Sequence, residues 1–232
     1  MKEKLINFYD RTKHGIPAII YTVIYMLWFT YLEKTITRPD TIIHTVFDDK
    51  IPFIPIFVIP YFLWFGYVVI NVIIIGILDK DEFNKMFILL ATGMTVFLVI
   101  STIWPNGHDL RPNIAYINAT GGNVFTRMIA NLYSTDTPTN LWPSIHVYNS
   151  LGIHFALTHC PKTRKYAAVR VGSLILCTSI ILSTMFIKQH SVFDVATGIL
   201  LAIIMYCLIY PMNMLGAIKA ANERRKLEKN LD

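Results

Sequence analysis

Residues 53–78 read FIPIFVIPYFLWFGYVVINVIIIGIL, a run without one charged side chain. A helix rises about 1.5 Å per residue, so about 20 such residues cross the roughly 30 Å hydrocarbon core of a bilayer. A backbone surrounded by lipid must satisfy its own hydrogen bonds, so the run is read as a helix. Pro55 and Pro60 near its start predict a kinked or irregular entry. Five further apolar stretches flank it, at roughly 15–32, 87–104, 143–159, 166–187 and 191–215. The polar N-terminus ends near His14, and no small-x-small cleavage site follows, so the first stretch is read as a retained span. The fourth stretch carries Ser144, His146, Asn149, Ser150, His154 and His159. That is too polar for lipid, and it is expected inside the bundle or on a cavity. The expected fold is all-α: a six-helix transmembrane bundle, with residues 1–232 forming a single integral membrane domain.

Composition agrees. The chain is 54% apolar, with a mean hydropathy of +0.48, which excludes an ordinary soluble domain. The net charge of +6 sits beside apolar spans rather than on a basic-aromatic platform, so no nucleic-acid partner is expected and the membrane itself is the partner. Of the 21 Lys and Arg residues, 15 fall on one side of the proposed spans and 6 on the other. Positive loops stay in the cytoplasm, so both termini are expected inside a cell membrane, with the connections 33–52, 105–142 and 188–190 facing outward. Residues 216–232 are expected to extend the last helix. Cys160, Cys177 and Cys207 have no paired spacing and are read as structural thiols.

Chemistry concentrates on the Lys/Arg-poor side. His190 and Asp194 are four residues apart, one helical turn, so the carboxylate can fix the imidazole tautomer and raise the nucleophilicity of its other nitrogen. Trp142-Pro143 marks a helix start, where unpaired N–H groups and the helix dipole attract phosphate. Ser144 adds a hydroxyl there, and His146 stands where a protonated imidazole can donate to a leaving oxygen. Arg111 and Lys188 supply the cations that a phosphoryl group needs. Asp109 and Asp136 are read as turn or capping residues. His154 and His159 are expected to bond inside the bundle or face the inner headgroups. Trp28, Tyr31 and Trp104 suit an interfacial belt.

This pattern resembles the type 2 phosphatidic acid phosphatase superfamily of integral membrane lipid phosphatases. That family's motifs are Lys-x6-Arg-Pro, Pro-Ser-Gly-His and Ser-Arg-x5-His-x3-Asp, and the resemblance covers about residues 85–215. It implies that His190 is the nucleophile that becomes phosphohistidine, Asp194 its orienting partner, and His146 the general acid. Arg111 and Ser144 are the implied phosphate ligands, and no metal or other cofactor is needed. Three positions depart from the motifs: Trp104 stands at the first motif's lysine, Ile145 at the second motif's glycine, and Thr184 at the third motif's arginine. Lys188 and His108 are the candidates to replace the missing cations, and Thr184 is grouped with the phosphate-binding candidates. The implied activity is hydrolysis of a lipid phosphate monoester or pyrophosphate at the outer membrane face. Candidate substrates are undecaprenyl pyrophosphate, phosphatidylglycerophosphate and phosphatidic acid. Pro-Ser-x-His with a bulky third residue also resembles inositol phosphorylceramide synthases, which transfer a phospho-headgroup to an alcohol. A non-enzymatic lipid-binding or transport protein is the remaining alternative.

Overall fold

The computed structural model describes residues 13–211, with Gly216 and Ala220. The tail expected as a helix over 216–232 and the polar residues before 13 otherwise lie outside the described residues. Among the described residues eight α-helices with defined bounds follow one another: α1 (Ile16–Thr35), α2 (Val58–Leu78), α3 (Lys80–Ile103), α4 (Ile114–Gly121), α5 (Val124–Thr135), α6 (Ile145–His159), α7 (Ala167–Phe186) and α8 (Val192–Ile209). The chain is an all-α bundle of antiparallel long helices, closed at one end by loops and the short helices α4 and α5.

Local chemistry explains the boundaries. A 3-10 turn at Pro55–Phe57 leads into α2, because proline lacks the N–H that a regular helix needs. Helix α3 begins at Lys80, before the hydropathy does, because the Asp79 side chain caps it by accepting from the Glu82 N–H at 3.0 Å. An N-cap satisfies donors that the first turn leaves orphaned, whatever the polarity of that turn.

Among the described residues five helical segments are long and apolar enough to cross a membrane: Ile16–Thr35, Pro55–Leu78, Lys80–Ile103, Ala167–Phe186 and Val192–Ile209. Their outward faces carry exposed apolar side chains such as Leu27, Ile73, Ile77, Ile175 and Leu200, the pattern of a multi-pass membrane protein. Helix α6 differs. Its 15 residues rise only about 22 Å, and it buries polar Asn149 and Ser150 alongside Val147, Tyr148 and Ile153. It packs among α2, α3, α7 and α8, which shelter Asn149 and Ser150. His154 Nδ1 lies 2.9 Å from Ser173 Oγ, and His159 bonds the Phe155 carbonyl and the Tyr206 hydroxyl.

Two glycines set how closely α6 is approached. A Cβ on Gly93 would stand 2.1 Å from the Tyr148 ring, and one on Gly198 would stand 2.9 Å from the Ser144 carbonyl oxygen. The first lets α6 settle on α3, where the Tyr148 hydroxyl donates to the Leu89 carbonyl at 2.6 Å. The second draws the start of α8 against the start of α6.

The loops at that end are stitched by backbone. Strand β1 (Thr41–Ile42) pairs in parallel with β2 (Asn106–Gly107), and Gly107 bridges to Thr139. Buried Asn106 accepts from the N–H groups of Leu141 and Trp142 at 2.9 Å each. The chain entering α6 is thereby held against the loop that carries Arg111.

Candidate active site

The start of α8 is built first. Ser191 is its N-cap, and a capping box forms: Ser191 Oγ accepts from the Phe193 N–H at 3.2 Å, and the Ser191 N–H donates to Asp194 Oδ2 at 3.0 Å. The N–H groups of Gln189 and His190 both donate to the Thr184 carbonyl, at 2.8 and 3.0 Å, which turns the chain tightly from α7 into α8. His190 is thus presented at the helix mouth. Its Nδ1 lies 3.4 Å from Asp194 Oδ2. That distance is long for a hydrogen bond, and Nδ1 has no partner that meets hydrogen-bond geometry. Such contacts often tighten only when substrate binds.

His146 comes from the first turn of α6. The Trp142-Pro143 peptide is cis, and Ser144 follows as the N-cap, accepting from the Val147 N–H at 3.4 Å. The Ser144 N–H donates to the Asp194 carbonyl at 3.3 Å, which joins the two helix starts directly. His146 Nδ1 then stands 3.4 Å from His190 Nε2. Tyr61 stacks on the His146 ring at 4.7 Å and Trp64 packs against it at 4.3 Å, centroid to centroid. Two imidazoles, one from the first turn of α6 and one from the turn that enters α8, therefore meet at one end of the bundle. Beside them lies a cavity of about 30 Å³ whose lining includes Glu33, Tyr61, Asp136, Asn140, Gln189 and both histidines. That volume suits about one water, so a phosphoryl group enters only as the lining side chains move.

The expected cations are arranged differently. The Arg111 guanidinium stacks on Tyr133 at 4.4 Å. It donates to the Asp136 carbonyl at 2.8 Å and to Gln189 Oε1 at 2.5 Å, while its buried Nε has no partner. It stands behind Gln189 rather than on the cavity wall. Lys188 points elsewhere: its Nζ donates to the carbonyls of Asp48 and Ile51 at 2.8 and 2.7 Å. A left-handed backbone at Lys188 (φ 54°) directs it there, and burial lowers its pKa. Thr184 is fully buried and donates to the Ile181 carbonyl at 2.8 Å, while its own carbonyl holds the turn. Ser144 spends its hydroxyl oxygen as a cap. His108 is no cation either. Burial, Arg111 and His190 together push its pKa down to about 4. Its bonds fit a neutral ring, with Nε2 donating to the Gln189 carbonyl and Nδ1 accepting from the Leu110 N–H. Trp104 directs its indole N–H to Thr41 Oγ1.

His108 carries a pH signature. A histidine whose folded pKa lies below its unfolded value of about 6.5 gives stability that is fully present above pH 6.5 and lost as pH falls toward 4. That loss is expected to reach about 3 kcal/mol over the interval. The drop in SDS-unfolding free energy between pH 7 and pH 4.5 should be correspondingly smaller in His108→Gln, which keeps a donor for Gln189.

Several contributors carried no sequence signal. Asp48 is the clearest: only 2% exposed, it accepts from the Val192 N–H and the Ser191 hydroxyl at 2.7 Å each, and from the Thr45 N–H and hydroxyl at 2.7 and 2.8 Å. Burial raises its pKa, but those four donors outweigh burial and hold the carboxyl below its usual range. Asp48 thus clamps the loop between α1 and α2 onto the helix start that presents His190. Asp48→Ala should cost about 3 kcal/mol or more, read as an earlier SDS-unfolding midpoint, and turnover should fall with it. Asp136 is a helix end, as expected, but its carboxylate also lines the cavity. It accepts from the Gln189 amide at 3.1 Å and the Tyr61 hydroxyl at 3.3 Å, and burial raises its pKa. Glu33, Gln189, Tyr61 and Trp64 complete the surroundings. Among the described residues no group of three His, Cys, Asp or Glu is placed to hold a metal ion.

A multi-pass helical bundle with an imidazole pair at one end defines a class of membrane protein equipped for acid–base and nucleophilic chemistry. A family model, the PAP2 superfamily, matches residues 109–215, in agreement with the resemblance that the motifs suggested. Members are generally phosphatases, and the family points to phosphatase or phosphotransferase chemistry on phosphate esters. No curated protein and no solved structure matches the chain.

Proposed function

We propose that the protein breaks a phosphorus–oxygen bond of a membrane lipid phosphate ester or pyrophosphate through a phosphohistidine on His190. The observation that carries this reading is the 3.4 Å approach of His146 Nδ1 to His190 Nε2, with Asp194 behind the second ring. With substrate bound, the two rings move apart and the phosphoryl group stands between their nitrogens. Asp194 accepts from the His190 Nδ1–H and leaves Nε2 as a lone pair aimed at phosphorus. His146 gives its proton to the departing lipid oxygen, then takes one from water, which hydrolyses the phosphohistidine and releases inorganic phosphate from a monoester or the headgroup phosphate from a diester. Arg111, Ser144 and backbone N–H groups at the start of α6 are the proposed phosphate contacts, Arg111 reaching in as Gln189 moves. Helix α6 serves as a sixth crossing sheltered inside the bundle. Both termini face the cytoplasm and the imidazole pair faces outward at the cell membrane.

A second reading, transfer of a phospho-headgroup to an alcohol, is favoured by one feature. The cavity wall carries Glu33 and Asp136, while Trp104 and Thr184 occupy the positions of two family cations. Purified protein in detergent with EDTA should release phosphate from phosphatidic acid, phosphatidylglycerophosphate or undecaprenyl pyrophosphate. Product analysis with added alcohols separates hydrolysis from transfer. Tight lipid binding with neither product would contradict both readings.

A further inference from the structure

We propose that Glu33, Asp136 and Asn140 form a subsite for an ammonium-bearing headgroup, so that the preferred lipid is a zwitterionic phosphodiester rather than a dianionic phosphate monoester. The inference rests on reading His146 and His190 as the groups that work on phosphorus, and it names the substrate of that same site.

Glu33, from the last turns of α1, and Asp136, at the end of α5, both open onto the space beside the two imidazoles. Glu33 accepts from neutral donors: the Thr137 hydroxyl at 2.8 Å, the Thr137 N–H at 3.5 Å and the Asn140 amide at 3.4 Å. Asn140 lines the same space, is 4% exposed, and keeps a buried Oδ1 with no partner. A buried acceptor without a donor is unfavourable, so a ligand that brings a donor is favoured there. The wall thus presents two carboxylates and an unfilled amide oxygen.

Charge decides between substrates. Arg111 is the fixed cation nearest this wall among the described residues, and it is engaged by the Asp136 carbonyl and Gln189. Lys188 is turned to the Asp48 loop, and His108 has both ring nitrogens in bonds of the neutral form. A phosphate dianion would bring two further negative charges beside Glu33 and Asp136 in a partly desolvated space, where uncompensated charge is costly. A phosphodiester brings one. If its headgroup ends in a primary ammonium, it also brings the positive charge and N–H donors that this wall lacks.

The test uses the full-length protein in detergent with EDTA. Three dihexanoyl probes are titrated: phosphatidylethanolamine, phosphatidylmethanol and phosphatidic acid. Tryptophan fluorescence reports binding, since Trp64 packs against His146. Phosphatidylethanolamine is expected to bind at least about tenfold more tightly than either other probe. Glu33→Gln and Asp136→Asn should each shrink that preference by about threefold or more. Equal or tighter binding of phosphatidic acid or phosphatidylmethanol to the unaltered protein overturns the inference, and this comparison decides even where a variant fails to fold. An undiminished preference in both folded variants overturns it as well. His190→Ala separates the two readings: it should keep the binding preference while losing product. Continued turnover in that variant would remove the phosphohistidine mechanism and leave the headgroup preference standing.

Discussion

Replacing His190 by Ala is expected to lower turnover of any lipid phosphate substrate by at least about 10³-fold, because the nucleophile itself is removed. The SDS-unfolding midpoint should change far less than in Asp48→Ala. The reason is structural: the His190 Nδ1 has no well-formed partner, and the turn that presents the ring is held by backbone bonds to the Thr184 carbonyl and by Asp48 on the helix mouth. None of those bonds uses the imidazole. Mutating Asp48 dismantles the platform; mutating His190 leaves the platform and removes the reacting group. Comparing the two variants by activity and unfolding separates chemistry from support.

The second large effect is at His146. His146→Ala should cost about 10²–10⁴-fold in turnover of a lipid ester, the range for a lost general acid. A merely structural role for this ring would slow every substrate alike. A general acid would not: a short-chain analogue with a nitrophenol leaving group departs without a proton. The variant should therefore recover most of its rate on that analogue. Equal losses on both substrates would assign His146 to packing between Tyr61 and Trp64 rather than to proton transfer.

The helical, membrane-embedded character of the chain was legible because lipid imposes length and apolarity on every crossing, and residues 53–78 state both without ambiguity. The shared end of Arg111, His146 and His190 was legible for the same reason, since alternating spans dictate which loops meet. Other features were not. Hydropathy could not foresee that α3 starts at Lys80, because a cap at Asp79 is a hydrogen-bond event. The polarity of region 143–159 did point to the bundle interior, and α6 packs there among α2, α3, α7 and α8. The destinations of hydrogen bonds were opaque altogether. Lys188 sits two residues from His190, yet a left-handed backbone sends its ammonium to the Asp48 loop. Asp48 and Asp136 look like ordinary loop acids in the sequence; only the fold brings one to the mouth of α8 and the other to the cavity. Spacing along a chain fixes which groups can meet, while the partners they choose depend on the loops folded over them.

The most direct test of two imidazoles acting on one phosphorus is a rapid acid-free quench of the protein with lipids labelled at phosphorus, phosphatidic acid and phosphatidylethanolamine in turn, with EDTA present. The account predicts protein-bound label that is stable to alkali, lost in acid, and recovered on the peptide containing His190, with none in His190→Ala. Turnover that proceeds without any such label, or label found on a different residue, would contradict it.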